Sequence, residues 1–95
     1  VKMFPQTYRD IDKIYEQALL VSNYADNAIA LAEKLEKAIL SLEEQPYRGA
    51  ERKYGFYAFK GYRQLTVENY IIIYEVFENE KVVAVVTVKY GKSEF

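Results

Sequence analysis

Apolar and polar residues alternate over three consecutive stretches in the second half of the chain. The stretches are Tyr62–Val67, Tyr70–Phe77 and Val82–Tyr90. They are rich in Val, Ile, Tyr, Phe and Thr, the residues that suit a pleated and half-buried surface. Short polar breaks at 68–69 and 78–81 separate them, and in these breaks Asn69 and Asn79 are expected to take the left-handed conformation of a reversal. The pattern predicts a three-stranded antiparallel meander.

Both faces of this meander are largely apolar. Alternation sets Tyr70, Ile72, Tyr74 and Val76 against Ile71, Ile73, Glu75 and Phe77 in the middle stretch. In the last stretch it sets Val82, Ala84, Val86, Val88 and Tyr90 against Val83, Val85, Thr87 and Lys89. Because the two stretches contain more apolar side chains than one buried face requires, the second face is expected to be covered in part by a loop, the chain ends or a second molecule.

Two amphipathic helices are predicted ahead of the meander. Apolar residues recur at helical spacing over residues 8–22, after a hydroxyl cap at Thr7 with Asp10 as its reciprocal acid. They recur again over residues 26–44, and Pro46 ends that second pattern. Two such helices form an antiparallel hairpin whose apolar stripes pack on one face of the sheet.

The first residues, Val1–Phe4, alternate ahead of Pro5 and predict the end of an edge strand. The expected fold is therefore α+β, with an N-terminal strand, an antiparallel two-helix hairpin, and a three-stranded antiparallel meander that completes one sheet. That sheet is expected to be antiparallel, with about four strands. Ninety-five residues support one core, so residues 1–95 are expected to form a single domain.

Composition narrows the available chemistry. The chain has no cysteine and no histidine, which removes disulfides, thiolate ligands, and the commonest metal ligand and general base. We therefore expect neither a metal nor a cofactor. No stretch approaches the roughly 20 apolar residues of a membrane span, so an intracellular, cytoplasmic protein without a membrane partner is expected.

Positive charge is concentrated between residues 48 and 63, although the net charge is −1. This segment contains one acid, Glu51, and the cations Arg48, Arg52, Lys53, Lys60 and Arg63. The aromatic residues among them are Tyr54, Phe56, Tyr57 and Phe59. One interpretation is a surface loop whose aromatic rings cap the edge of the core. The other is a basic, aromatic lining suited to base stacking and phosphate contact.

The order strand–helix–helix–strand–strand–strand is accompanied by a characteristic set of short segments. They are Asp12-Lys13-Ile14-Tyr15, Leu42 followed by Pro46, Gly61-Tyr62-Arg63-Gln64-Leu65, Asn69-Tyr70-Ile71-Ile72-Ile73-Tyr74 and Val88-Lys89-Tyr90-Gly91. Together they resemble the RelE/ParE superfamily of bacterial type II toxins, over nearly the entire chain. The resemblance implies a small toxin that a cognate antitoxin silences by wrapping its surface.

The resemblance also implies one of two targets. RelE-like toxins cut messenger RNA in the ribosomal A site, whereas ParE-like toxins inhibit DNA gyrase. The nuclease branch uses Lys and Arg to stabilise phosphate charge, with Tyr, Glu or His for proton transfer. Its characteristic arginine lies in a strand reading Tyr-Arg-Leu-Val-Tyr, and the matching residue here is Ile71. The His-Tyr pair of some members is replaced by Tyr90-Gly91-Lys92.

If the chain is a nuclease, the catalytic candidates are Arg63, Tyr90 and Glu51. A substitute cluster requires the meander to bring Arg63, Lys89, Tyr90 and Lys92 to one end. The alternatives are that Glu51 is a solvated loop acid and that Arg63 pairs with Glu75 or Glu68. Contacts to a target or nucleic acid are expected from Arg48, Arg52, Lys53, Lys60, Arg63, Lys89 and Lys92.

Isoleucine at position 71, the missing histidine and a pI near 5.5 all disfavour docking on and cutting a polyanion. The sequence therefore favours a gyrase inhibitor that is not an enzyme. The alternatives are a ribosome-dependent mRNA endoribonuclease and a non-toxic protein of the same fold. The antitoxin is expected on the sheet face or an edge strand, in a toxin-antitoxin hetero-oligomer, and the free protein is expected as a homodimer.

Overall fold

The computed structural model describes residues 1–22 and 25–91. Its elements are β1 (Lys2–Met3), α1 (Pro5–Ser22), α2 (Ala25–Ser41), β2 (Ala50–Glu51), β3 (Tyr62–Val67), β4 (Tyr70–Phe77) and β5 (Val82–Tyr90). The three strands of the meander have the bounds that alternation predicts, and the α+β fold class is confirmed. Within the described part, neither helix is long and apolar enough to cross a membrane.

The five strands form one mixed sheet in the order β1-β5-β4-β3-β2. β1 runs parallel to β5, with Lys2 opposite Ala84, while the remaining neighbours are antiparallel. The prediction of an antiparallel sheet of about four strands was therefore wrong at both edges. β1 and β2 are two residues long, and segments so short carry no alternation that reveals their direction or neighbour.

The start of α1 also differs from the prediction. The helix begins at Pro5 rather than near residue 8, because proline suits the first helical position, where its missing N–H has no partner to lose. The Thr7 amide donates to the Phe4 carbonyl at 2.9 Å. Thr7 therefore lies inside the helix, and its predicted role as the cap was wrong.

Thr7 binds the edge of β5 at the end of its short pairing with β1, and Asp10 binds it further along. The Thr7 hydroxyl donates to the Val85 carbonyl at 2.9 Å. A carboxylate oxygen of Asp10 accepts a hydrogen bond from the Val88 amide at 3.1 Å and another from the Thr87 hydroxyl. Both α1 side chains are buried, so they satisfy strand groups that an open edge would leave for another chain.

Replacing Asp10 by Ala is expected to lower the free energy of unfolding by about 1–3 kcal/mol, because it leaves a buried amide and hydroxyl without an acceptor. Denaturant titration followed by circular dichroism measures the change. Asp12→Ala, on the same helix but exposed, is the matched control and should change stability by less than about 0.5 kcal/mol. Equal effects of the two substitutions would contradict the assigned role of Asp10.

The second helix ends at Ser41, earlier than the predicted residue 44. The chain then tightens into i→i−3 hydrogen bonds, from Leu42 to Ile39 at 3.1 Å and from Glu43 to Leu40 at 3.1 Å. Such a final turn satisfies carbonyls that an α-helix leaves unpaired, and it extends the apolar pattern past the helix itself.

Both helices pack on one face of the sheet. The core there consists of Ile11, Ile14, Leu35, Ile39, Leu42, Leu65, Ile72, Tyr74, Val83, Val85 and Val88. A bulge shifts the β5 register between Ile73 and Tyr74, which pair with Thr87 and Val85 and leave Val86 without a partner. Val85 and Val88 therefore share a face, and the predicted strict alternation of β5 was wrong because one inserted residue reverses the parity.

The second face is covered in part by the loop that precedes β3, as the sequence predicted. A buried Arg52 guanidinium donates to the Gln64 side chain at 2.8 Å, and Gln64 pairs with Ile73 on this face. The Tyr57 ring meets Tyr62 edge to face at 5.0 Å. These contacts place one part of the loop against the sheet and leave the rest facing solvent.

The turns of the meander use left-handed residues other than the two asparagines. Glu68 and Lys81 have φ values of 53°, so the expectation for Asn69 and Asn79 was wrong. The Glu68 side chain binds Lys34 of α2 at 2.6 Å. This ion pair ties the first turn to the helical layer at the residue that carries the positive φ.

Candidate functional site

Arg63 lies at the beginning of β3 on the face covered by the helices. Its Nη2 donates to the carbonyls of Tyr47 and Gly49, and its guanidinium lies 5.1 Å from the centre of the Tyr47 ring. Its buried Nε has no hydrogen-bond partner among the described residues. The alternative pairing with Glu75 or Glu68 was wrong, since Glu75 pairs with Tyr62 on the opposite face and Glu68 binds Lys34.

The turn that Arg63 binds is also tied to β4. The Gly49 amide donates to the Tyr74 hydroxyl at 3.0 Å, and Tyr74 is completely buried. The Tyr47 hydroxyl donates to the Glu78 carboxylate. That hydrogen bond favours the protonated phenol and raises the pKa of Tyr47. Tyr47 therefore remains a hydrogen-bond donor at neutral pH.

Two further arginines of the basic segment are engaged within the fold. Arg52 is buried and donates through Nε to the Tyr54 carbonyl at 2.9 Å and through Nη1 to the Gln64 side chain. Arg48 donates to the Ser41 hydroxyl at 2.6 Å, next to the last turn of α2. Guanidinium groups used in this way hold loops in place, so they add less to an external anion site than their number suggests.

The other charged residues of the segment lie at the surface. Lys53 and Glu51 are exposed, and Lys60 Nζ lies 4.1 Å from the centre of the Phe56 ring. Glu51 pairs with Arg63 in the register of β2 and β3. Glu51 and Arg63 are therefore the two catalytic candidates that the structure brings close together.

Tyr90 lies at the opposite end of the sheet from Arg63. In the register across β4, Tyr90 lies opposite Tyr70 and Val67, four residues along β3 from Arg63, which corresponds to about 13 Å at 3.3 Å per residue. Lys89 Nζ lies 3.7 Å from a carboxylate oxygen of Asp10. Lys92 lies outside the described residues. The predicted cluster of Arg63, Lys89 and Tyr90 at one end was therefore wrong.

Position 71, where the resemblance places a catalytic arginine, is a half-buried isoleucine opposite Thr66 and Lys89.

Hydrogen bonding to Lys34 lowers the pKa of Glu68, and hydrogen bonding to the terminal amine lowers the pKa of Glu43. The pKa of Tyr47 is raised, so each of these three shifts moves the pKa of its group further from neutral pH. In residues 1–22 and 25–91, no three acidic side chains converge as a metal site requires.

The structure has two apolar surfaces among its described residues, of which the first lies in the aromatic segment that the sequence indicated and the second was missed by sequence reasoning. One is the aromatic loop, defined here as residues 52–61, from which the rings of Tyr54, Phe56 and Phe59 face solvent. The other is a groove of about 300 Å³ between the helices, lined by Met3, Tyr8, Ile11, Asp12, Glu36, Ile39 and Leu40. The signal for this groove in the sequence was the adjacent apolar pair Ile39-Leu40. Neighbouring helix residues project in different directions, so the two side chains cannot both point into the core.

Comparison with known proteins agrees with this architecture. A family model described as the ParE toxin of the type II toxin-antitoxin system parDE matches residues 1–95. A solved structure of the chromosomal ParDE system from P. aeruginosa matches with a TM-score of 0.77 at 19% identity, covering 94% of this chain and 91% of that one. The isolated E. coli RelE toxin matches with a TM-score of 0.61 at 14% identity, covering 98% and 84%. No curated protein matches.

Proposed function

The chain belongs to the ParE toxin family of type II toxin-antitoxin systems, and we propose that this toxin acts in the cytoplasm by inhibiting DNA gyrase. It is the toxin component of its module, and its partner is a cognate antitoxin. On this proposal it is a protein inhibitor rather than an enzyme.

The observation that supports gyrase over messenger RNA is the separation of Tyr90 from Arg63. Arg63 is bound to two carbonyls of the 47–49 turn, and Tyr90 lies at the other end of the sheet. Cleavage of a phosphodiester needs a cation at the developing charge and a proton-transfer group within hydrogen-bond reach of the same phosphate. The backbone positions of Arg63 and Tyr90 are about 13 Å apart along the strand direction, which disfavours their joint action on one phosphate.

The distribution of positive charge supports the same choice. Affinity for a polyanion grows with the number of phosphates that the protein neutralises. In the segment 48–63, hydrogen bonds within the fold engage all three arginines. The exposed cations there are Arg48, which binds the Ser41 hydroxyl, and the lysines Lys53 and Lys60, a small cationic surface for tight docking on a ribosome.

Messenger RNA cleavage is the second candidate function. It is favoured by the juxtaposition of Glu51 and Arg63 as register partners at the sheet edge. An acid and a guanidinium in this arrangement resemble the proton acceptor and the charge stabiliser of a nuclease. In that case Glu51→Gln should abolish cleavage without changing the fold.

We propose that the antitoxin adds a strand to the outer edge of β3. β2 pairs with Arg63 and Gln64 and extends no further along this strand, so residues 65–67 lie beyond the described strand pairing at this edge. The opposite edge is less accessible, because β1, Thr7 and Asp10 occupy it. Strand addition at an open edge is a common mode of peptide capture. A homodimer of the free toxin stays a prediction that sedimentation can test.

Induced expression of the toxin is expected to block DNA replication before it reduces translation. The purified protein should inhibit supercoiling by purified gyrase, and the cognate antitoxin should reverse this inhibition. Primer extension on messenger RNA from the same cells should show no cuts that depend on the toxin. The order in which replication and translation fall identifies the target, because gyrase is needed for DNA synthesis and the ribosome for protein synthesis.

Ribosome-dependent cuts that disappear with Glu51→Gln or Tyr90→Phe would overturn this proposal in favour of the nuclease. These substitutions are preferable to Arg63→Ala, which would also release the 47–49 turn. If neither replication nor translation changes on induction, the chain is a non-toxic protein of the same fold.

A further inference from the structure

Three rings of the aromatic loop face solvent within six residues of one another. Tyr54, Phe56 and Phe59 are exposed by 72%, 69% and 74%. Aromatic side chains are the largest contributors to protein interfaces, and exposed groups of them mark interaction sites more often than scattered apolar residues do. The three rings therefore form an exposed aromatic group of the kind that marks a binding surface.

The backbone that carries these rings is fixed at both ends. The Arg52 amide donates to the Tyr62 carbonyl at 2.9 Å, and the Phe59 amide donates to the Arg52 carbonyl at 3.1 Å. Between these points the Tyr57 ring turns inward and packs on Tyr62. A loop held in this way loses little conformational entropy when a partner binds, so its exposed rings are ready for contact.

Phe59 occupies a conformation that a bulky residue rarely adopts. Its φ is 57°, in the left-handed region where glycine and asparagine are stable and where a β-carbon meets the following carbonyl. A smaller or more tolerant residue at this position would stabilise the fold. Strain that persists at an exposed aromatic residue indicates a role outside the stability of the protein.

The charges around the rings define the chemistry of the partner. Lys60 lies over the Phe56 ring and Lys53 is exposed beside Tyr54 in the sequence, while Arg52 points into the protein. Two lysines neutralise too few phosphates for tight binding to a polynucleotide. They suit instead the carboxylates at the rim of an apolar protein pocket, where cations guide association.

From these observations we propose that the aromatic loop is the surface through which the toxin binds its target protein. Tyr54, Phe56 and Phe59 enter apolar pockets of the target, and Lys53 and Lys60 meet acidic side chains at the pocket rim. The identification of this target as gyrase rests on the proposed function. The loop lies on the second sheet face and its margin, so the antitoxin edge at residues 65–67 is a separate surface.

Single substitutions Tyr54→Ser, Phe56→Ser and Phe59→Asn are expected to weaken inhibition of purified gyrase by about ten-fold or more each. The triple variant should lose inhibition at concentrations where the wild type inhibits completely. Phe59→Asn should melt at the same temperature as the wild type or higher, because asparagine tolerates the left-handed conformation. A purely structural role predicts the reverse, a lower melting temperature.

Leu20→Ser combined with Val21→Ser is the matched control. These residues are 80% and 86% exposed, and Val21 lies near Tyr70 and Tyr90, at the other end of the sheet. The double variant removes a similar exposed apolar surface and should retain full inhibition. Charge reversal at Lys53 and Lys60 should slow association at low salt and have less effect at high salt, while Lys13→Glu on α1 should have little effect.

Three outcomes would overturn the proposal. The first is a triple variant that inhibits gyrase as the wild type does, which leaves the proposed function intact. The second is a triple variant that loses the antitoxin but keeps gyrase inhibition, which assigns the loop to the antitoxin. The third is that the toxin binds gyrase only when DNA is present, and that the loop variants lose binding to gyrase and to a single-stranded oligonucleotide in parallel. A wild-type protein that fails to inhibit gyrase instead refutes the proposed function itself.

Discussion

Replacing Gly49 by Ala is expected to lower the free energy of unfolding by about 3 kcal/mol or more, because steric overlap at this position has no route of relief. An added β-carbon would lie 2.6 Å from the Tyr74 hydroxyl oxygen and still closer to the Gln64 carbonyl oxygen. Tyr74 is completely buried, and the carbonyl belongs to a strand with neighbours on both sides. Neither atom can retreat without breaking the sheet.

Gly61→Ala provides the comparison that isolates this steric cause. Gly61 has a φ of +87°, but its added β-carbon would approach nothing closer than 3.6 Å, so its cost should be about 1–2 kcal/mol from backbone strain alone. Denaturant titration of both variants gives the difference. Equal costs, or rescue of Gly49→Ala by Tyr74→Phe, would contradict the explanation, since the Gln64 carbonyl remains in place when the hydroxyl is removed.

Arg63 stabilises the same turn, residues 47–49, so a substitution of Arg63 changes the stability of the fold as well as the candidate site. Its guanidinium holds the carbonyls of Tyr47 and Gly49, so Arg63→Ala leaves two acceptors without their donor and loosens the turn. A loss of toxicity in that variant would follow from lower stability as readily as from a lost catalytic group. Substitutions at Tyr54 and Phe59 reduce this ambiguity, because their rings are exposed, whereas the Phe56 ring also meets Tyr57 edge to face at 5.2 Å.

The meander was predictable because two independent signals agree there. Alternation fixed the strand bounds, and the polar breaks had the length of tight turns. The bulge at Val86 was not predictable, since valine gives no local sign that a residue has been inserted. Thr7 and Asp10 likewise resemble a helix cap in sequence, whereas their partners lie in β5, more than seventy residues away.

The candidate site was less predictable than the fold for a related reason. A sequence shows that Arg52 and Arg63 are cations, but their hydrogen-bond acceptors are backbone carbonyls and a glutamine brought close only by the sheet. In the aromatic loop no periodic pattern separates inward rings from outward ones. Tyr57 packs on Tyr62 whereas Phe56 next to it is exposed, and only the tertiary fold makes that distinction.

Leu35→Ala is expected to lower the free energy of unfolding by about 3–4 kcal/mol, the cost of an apolar cavity under α2. Leu35 is 0% exposed and Leu40, on the same helix, is 64% exposed. Both substitutions change helix propensity by the same amount, so Leu40→Ala is a control that should cost less than about 1 kcal/mol. Since a small domain holds about 5–15 kcal/mol in total, Leu35→Ala alone should remove a large share of the stability of the toxin. Similar denaturation midpoints for the two variants would show that α2 does not pack on the sheet as described.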